Sequence, residues 1–69
     1  MNEEPKELRF GTVAVEKGFI TSDQLIEAML TQIVEDVEKK KHRLIGQILV
    51  DLGYMTPAKV DEVLEELRD

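Results

Sequence analysis

The sequence predicts an all-α protein, a small four-helix domain built from two repeated helix-turn-helix hairpins. The first observation behind this is a duplication. Residues 9–32, RFGTVAVEKGFITSDQLIEAMLTQ, are written again, loosely, at 44–67 as LIGQILVDLGYMTPAKVDEVLEEL. Pairing positions 35 residues apart matches Gly11 with Gly46, Gly18 with Gly53, Thr21 with Thr56 and Glu27 with Glu62. Apolar residues meet apolar residues between them, as in Phe10/Ile45, Ile20/Met55, Leu25/Val60 and Met29/Leu64. Self-similarity of this kind fixes architecture before any single residue is interpreted. The second observation is shared punctuation, a glycine that stops one helix and a threonine that starts the next. The third is spacing: Ile45, Ile48, Leu49 and Leu52 fall at i, i+3, i+4 and i+7, one face of a helix.

Residues 1–7, MNEEPKE, are polar and lack an apolar period, so they read as a flexible lead to a single domain over 8–69. Within it, repeat one is 9–32, the linker 33–43 and repeat two 44–67. Segment 8–17 is ambiguous alone, because Phe10, Val13 and Val15 also suit a strand. Its likeness to 44–52 makes it a short helix, with Phe10, Val13, Ala14 and the stem of Lys17 inward. Gly18 and Gly53 end the first helix of each hairpin, since glycine takes the left-handed C-terminal conformation without a Cβ penalty.

Thr21 caps the second helix, with Gln24 completing a capping box and Ile20 and Leu25 forming the hydrophobic staple. Thr56, with Pro57 at the tolerated first position and Met55 and Val60 as staple, repeats the arrangement. The second helix should run from about Ser22 to Lys40, roughly 28 Å. Its stripe of Leu25, Ile26, Met29, Leu30, Ile33, Val34 and Val37 is wide enough to touch more than one neighbour. The last helix, Pro57 to Arg68, offers Val60, Val63, Leu64 and Leu67 to the core. Residues 39–43 join the two pairs.

Composition narrows the function. The 69 residues are 42% hydrophobic and 35% charged, which suits a globular domain. A chain this short buries only about 60% of its unfolded surface, so its stability should be modest. There is no cysteine, hence no disulfide framework and no thiolate metal site. No apolar run approaches the ~20 residues of a membrane helix, and no signal-peptide core is evident, so a cytoplasmic location without membrane insertion is expected. A net charge of −6 and a pI near 4.7 argue against DNA or RNA as partner.

Nothing assembles a catalytic centre, and the chain is not expected to be an enzyme. His42 is the only histidine and sits in KKKHR, where cations meet a helix C-terminus favourably. Glu35, Asp36 and Glu38 have no histidine or second acidic cluster to make a metal site, so no metal and no cofactor are expected. Neither GxxxxGK[ST] nor GxGxxG occurs. Gly11 and Gly46, by contrast, stand inside expected helices, where glycine costs about 1 kcal/mol against alanine. Their matched placement implies a close approach to the backbone, either a tight crossing of the two first helices or a flat ligand lying on both turns. Arg9 could add a guanidinium to such a ligand.

With Arg9-Phe10-Gly11, Ala14-Val15, Gly18-Phe19-Ile20, Leu25, Met29 and Gln32 in place, the chain resembles a known family. This is the N-terminal, MshE-type domain of type II secretion and type IV pilus assembly ATPases, with its tandem RLGxxLVxxGLIxxxxLxxxLxxQ motif. The two copies cover almost everything after the first eight residues. Relatives with both motifs intact bind cyclic di-GMP, one half per copy. The resemblance implies that Arg9 meets a guanine, Gly11 admits the ligand to the main chain, Phe10 and Ala14 cover base and ribose, and Gln32 makes a polar contact. Arg43, Gly46 and Leu49 would form the second surface. That copy departs from the pattern: Leu44 stands where Arg9 would be matched, Arg43 lies one residue early, and Leu67 replaces the closing glutamine. The linker is about six residues longer than the family pattern leads one to expect. Losing one cation and one amide costs a polar site roughly 2–5 kcal/mol.

Two functions follow. The preferred one is a non-catalytic regulatory or adaptor module of this secretion-ATPase type, which docks a protein partner through exposed apolar residues such as Phe19, Tyr54 and Met55. The alternative is a cyclic di-GMP sensor using the face around Arg9, Gly11, Arg43 and Gly46, which requires both glycines to face one pocket.

Overall fold

The computed structural model describes residues 6–68, and these form four helices: α1 (Lys6–Glu16), α2 (Ser22–Val34), α3 (Ile45–Asp51) and α4 (Pro57–Leu67). A π-helical turn, Glu35–Lys39, prolongs α2 and ends at Lys40, whose φ of 55° is left-handed. The second helix therefore reaches its expected length, but its last turn is widened. Residues 1–5 of the expected lead lie outside the described residues. Lys6 and Glu7 do not fray; they are the first turn of α1.

The local punctuation forms as the side chains dictate. Gly18 and Gly53 have φ of 79° and 85°, a conformation that costs other residues steric strain. Phe19 N–H donates to Ala14 O at 3.0 Å and Tyr54 N–H to Leu49 O at 2.9 Å, sealing both helix ends alike. Thr21 Oγ1 accepts from Gln24 N at 3.1 Å while Gln24 Oε1 accepts from Thr21 N at 2.9 Å, a complete capping box. Thr56 Oγ1 accepts from Lys59 N at 3.2 Å.

The repeat extends into the packing. The buried side chains Phe10, Ala14, Ile20 and Ala28 have Ile45, Leu49, Met55 and Val63 as their partners 35 positions on, and Ile48 completes the core. The hairpins are interlocked: α2 lies mainly on α3, and α4 mainly on α1, so each second helix covers the other repeat's first helix. The Cα trace is a slab of 34 × 33 × 19 Å. A slab this thin has little interior, and only one face of each helix reaches it.

Both interior glycines are explained by this packing. A Cβ on Gly11 would lie 2.3 Å from Leu25 Cδ1, and one on Gly46 3.5 Å from Val60 Cγ1 and 3.2 Å from Phe10 Cζ. Leu25 and Val60 are themselves matched positions, so each glycine receives the fourth residue of its own hairpin's second helix. The glycines do not face one pocket. One further expectation is corrected: Leu64 is half exposed. The Lys17 amine pairs with Glu66 at 3.2 Å.

Overpacking costs about 1–3 kcal/mol, against a helix-propensity gain of about 1 kcal/mol for glycine to alanine. Gly11→Ala should therefore lower urea stability by about 1 kcal/mol, because all three outer Leu25 carbons must move. Gly46→Ala, needing only a few tenths of an ångström from Phe10, should stay within about 0.5 kcal/mol of the parent.

Candidate functional site

The implied ligand residues do not form one open site. Arg9 is exposed at the mouth of a groove of about 410 Å³, floored by Phe10 and Ile45 and flanked by Leu44, Gly46, Val60 and Leu64. Gly11 is buried under Leu25 and lies outside that groove. Ala14 and Leu49 are fully buried, and Phe10 nearly so, because the interlocked helices close over them. Direct ligand contact at Ala14 and Leu49 is thus shut off in this structure.

Gln32 and Arg43 are engaged elsewhere. Leu44 holds the cap position of α3 and has no side-chain acceptor, so the helix takes its cap from the first turn of α1. Glu7 Oε1 accepts from Ile45 N at 2.6 Å and from Gln32 Nε2 at 2.8 Å. Gln32 Nε2 also donates to Arg43 O at 2.9 Å, tying α1, α2 and the linker at one point. A negative carboxylate at a helix N-terminus also meets the favourable end of the peptide dipoles. Arg43 grips Glu35 with a fork, Nε to Oε1 at 2.9 Å and Nη2 to Oε2 at 2.6 Å, and reaches Asp51 through Nη1. This fork holds the Glu35 carboxyl below the usual glutamate range, against a smaller opposing effect of burial. It raises the Arg43 guanidinium further above its already high value.

The expected partner residues are also only partly available. Met55 is a core residue, since its staple position drives it inward. Phe19 is half-buried beneath two ammonium groups, Lys59 at 5.1 Å and Lys17 at 5.9 Å from the ring centre. Tyr54 donates to Glu27 Oε1 at 2.6 Å; that bond, with burial and the carboxylate charge, pushes the phenol above its usual range.

Most of the exposed apolar surface lies instead along α2, with Leu44 and Leu64 open beside the Arg9 groove. Leu25, Ala28 and Met29 pack inward, while Ile26, Leu30, Ile33, Val34 and Val37 face outward with 45–70% of their surface open. The stripe does serve two faces, and the second face has no neighbour among the described residues. Sequence reasoning named these residues without separating the two halves. Ile26, Leu30, Ile33 and Val37 are spaced 4, 3 and 4 apart, the seam spacing of a helix that pairs with another helix. Around them runs a shallow groove bounded by Asp23, Glu27 and Glu35 and by Lys39.

His42 is exposed and meets Asp36 Oδ1 at 3.2 Å. Among the described residues no group of three or more His, Cys, Asp or Glu could hold a metal ion, and no helix is long and apolar enough to cross a membrane. Comparison with family models, curated proteins and solved structures yields no match to this chain.

Removing the Glu7 carboxylate strands the Ile45 N–H and one of the two Gln32 amide hydrogens, so Glu7→Ala should cost about 1–3 kcal/mol in urea unfolding. The Glu35 contribution has a defined pH sense. Its folded pKa is depressed, so its stabilisation is full above about pH 4.3 and is lost as pH falls from there through the folded value. Urea midpoints of the parent and Glu35→Gln, compared from pH 7 downward, should differ near neutrality and converge as pH falls through the depressed folded value.

Proposed function

We propose that this chain is a non-catalytic adaptor module that works by docking a protein partner along the outer face of α2. One observation carries this reading: five large apolar side chains, four of them at helix-pairing spacing, lie open on one face of a folded domain. Together they leave roughly 500 Å² open, within the range of the largest apolar patch on an ordinary monomer, a patch that is often functional. The tandem motif supports placing the module with the N-terminal domains of type II secretion and type IV pilus ATPases, and hence in the bacterial cytoplasm.

The cyclic di-GMP reading keeps Arg9 and the groove beside Gly46. It must recruit Gln32 and Arg43 away from Glu7, Glu35 and Asp51, and it needs contact at Ala14 and Leu49 beneath other helices. The adaptor reading requires no such rearrangement.

The test is a photo-crosslinking amino acid placed in the cell at Leu30, with the exposed α4 position Glu62 as control. Docking on α2 predicts protein adducts from Leu30 and none from Glu62. No adduct at Leu30, together with amide shifts at Arg9–Ala14 and Arg43–Leu49 on adding cyclic di-GMP, would replace this reading with the ligand one.

A further inference from the structure

We infer that the occupant of the α2 face is α2 of a second copy of this chain, running antiparallel about a two-fold axis. This rests on the docking reading above and specifies its partner. Two features of the face lead to it: the register of its apolar seam and the signs of the charges at its ends.

With the axis between Leu30 and Ile33, Leu30 of one copy meets Ile33 of the other, and Ile26 meets Val37. The seam from Ile26 to Val37 is about 16 Å long and every layer is apolar against apolar. Such an isologous contact uses one patch twice. Beyond the seam, Asp23 of one copy lies toward the widened turn of the other, where Lys39 borders the same groove as Asp23 and Lys40 and Lys41 follow. None of Asp23, Lys39, Lys40 and Lys41 makes an ion pair among the described residues.

Charge decides the orientation and argues against other occupants. A parallel pair would set Asp23 on Asp23 and Glu27 on Glu27 at one end, and the Lys39–Lys41 clusters together at the other. A uniformly basic helix would meet those same lysines, and a uniformly acidic one would meet Asp23, Glu27 and Glu35. At the extremes of the face, Asp23 at one end and Lys39–Lys41 at the other, the best match is a helix whose terminal charges run the opposite way. Antiparallel α2 is such a helix. Glu27 then lies near Asp36 of the other copy, a like-charge contact that weakens the pair. Covering the patch on both copies buries about 1,000 Å², the lower bound for a specific interface, so a weak, concentration-dependent dimer is the expected form. Like-signed net charge of −6 on each copy acts in the same direction.

Sedimentation equilibrium of the full chain, from about 10 μM to about 1 mM, reads the association directly. The parent should pass from monomer to dimer over this range. Leu30→Glu should abolish the dimer, and because Leu30 is exposed its circular dichroism and melting should stay those of a folded domain. Asp23→Lys and Lys40→Asp should each weaken association about three- to tenfold, and the double exchange should restore it. Aspartate suits the left-handed backbone at position 40.

A parent that stays monomeric throughout overturns the inference, as does a double exchange no better than its singles, which removes the antiparallel register. The Leu30 crosslinks separate this failure from that of the docking reading. A monomeric parent that crosslinks to a different protein sinks self-pairing alone, whereas a monomeric parent with no adduct sinks both. Self-adducts support both.

Discussion

The constraint on which this structure depends is the crossed packing of two short first helices under two longer second ones. Phe10 and Ala14 on α1 and Ile45, Ile48 and Leu49 on α3 supply most of the interior, and neither helix could be covered by its own hairpin alone. Each hairpin needs the other to hide its apolar face. The duplication is therefore more than a resemblance of letters, since the buried positions of one copy are the buried positions of the other.

The crossing dictates the polar architecture. α3 begins at a leucine and has no cap of its own, and the crossing brings Glu7 of α1 to its first N–H. Gln32 and Arg43, which a ligand would have to engage, are drawn into the same junction. Glu35 and Asp51 then fix the guanidinium, so the widened last turn of α2 and the end of α3 are held by one arginine. Residues of ligand-binding type serve here to hold the linker against the helices. The larger open apolar surface is what this scheme leaves over: α2 is apolar on two sides, and a thin slab uses one.

Much of this was legible in the sequence. Gly18, Gly53, Thr21 and Thr56 act within a few residues of themselves, so their turns and caps could be read locally, and the helical period of repeat two decided the ambiguous segment at Phe10–Val15. Contacts that span the fold were not legible. Glu7 belongs to a polar lead by composition, and its role depends on a partner 38 positions away. Met55 looked exposed beside Tyr54, but the staple turns it inward. The stripe on α2 was visible as a whole, yet only the positions of α1 and α3 show that Leu25, Ala28 and Met29 are the inner half.

The central claim, that α2 presents an unpartnered apolar face on an otherwise closed core, has a direct test in methyl NMR of dilute, monomeric protein with a soluble paramagnetic agent. The account predicts strong relaxation of the Ile26, Leu30, Ile33 and Val37 methyls, with Ile45, Ile48, Leu49 and Val63 untouched. Protection of the α2 methyls to the level of Ile48 and Leu49 in the monomer would contradict it.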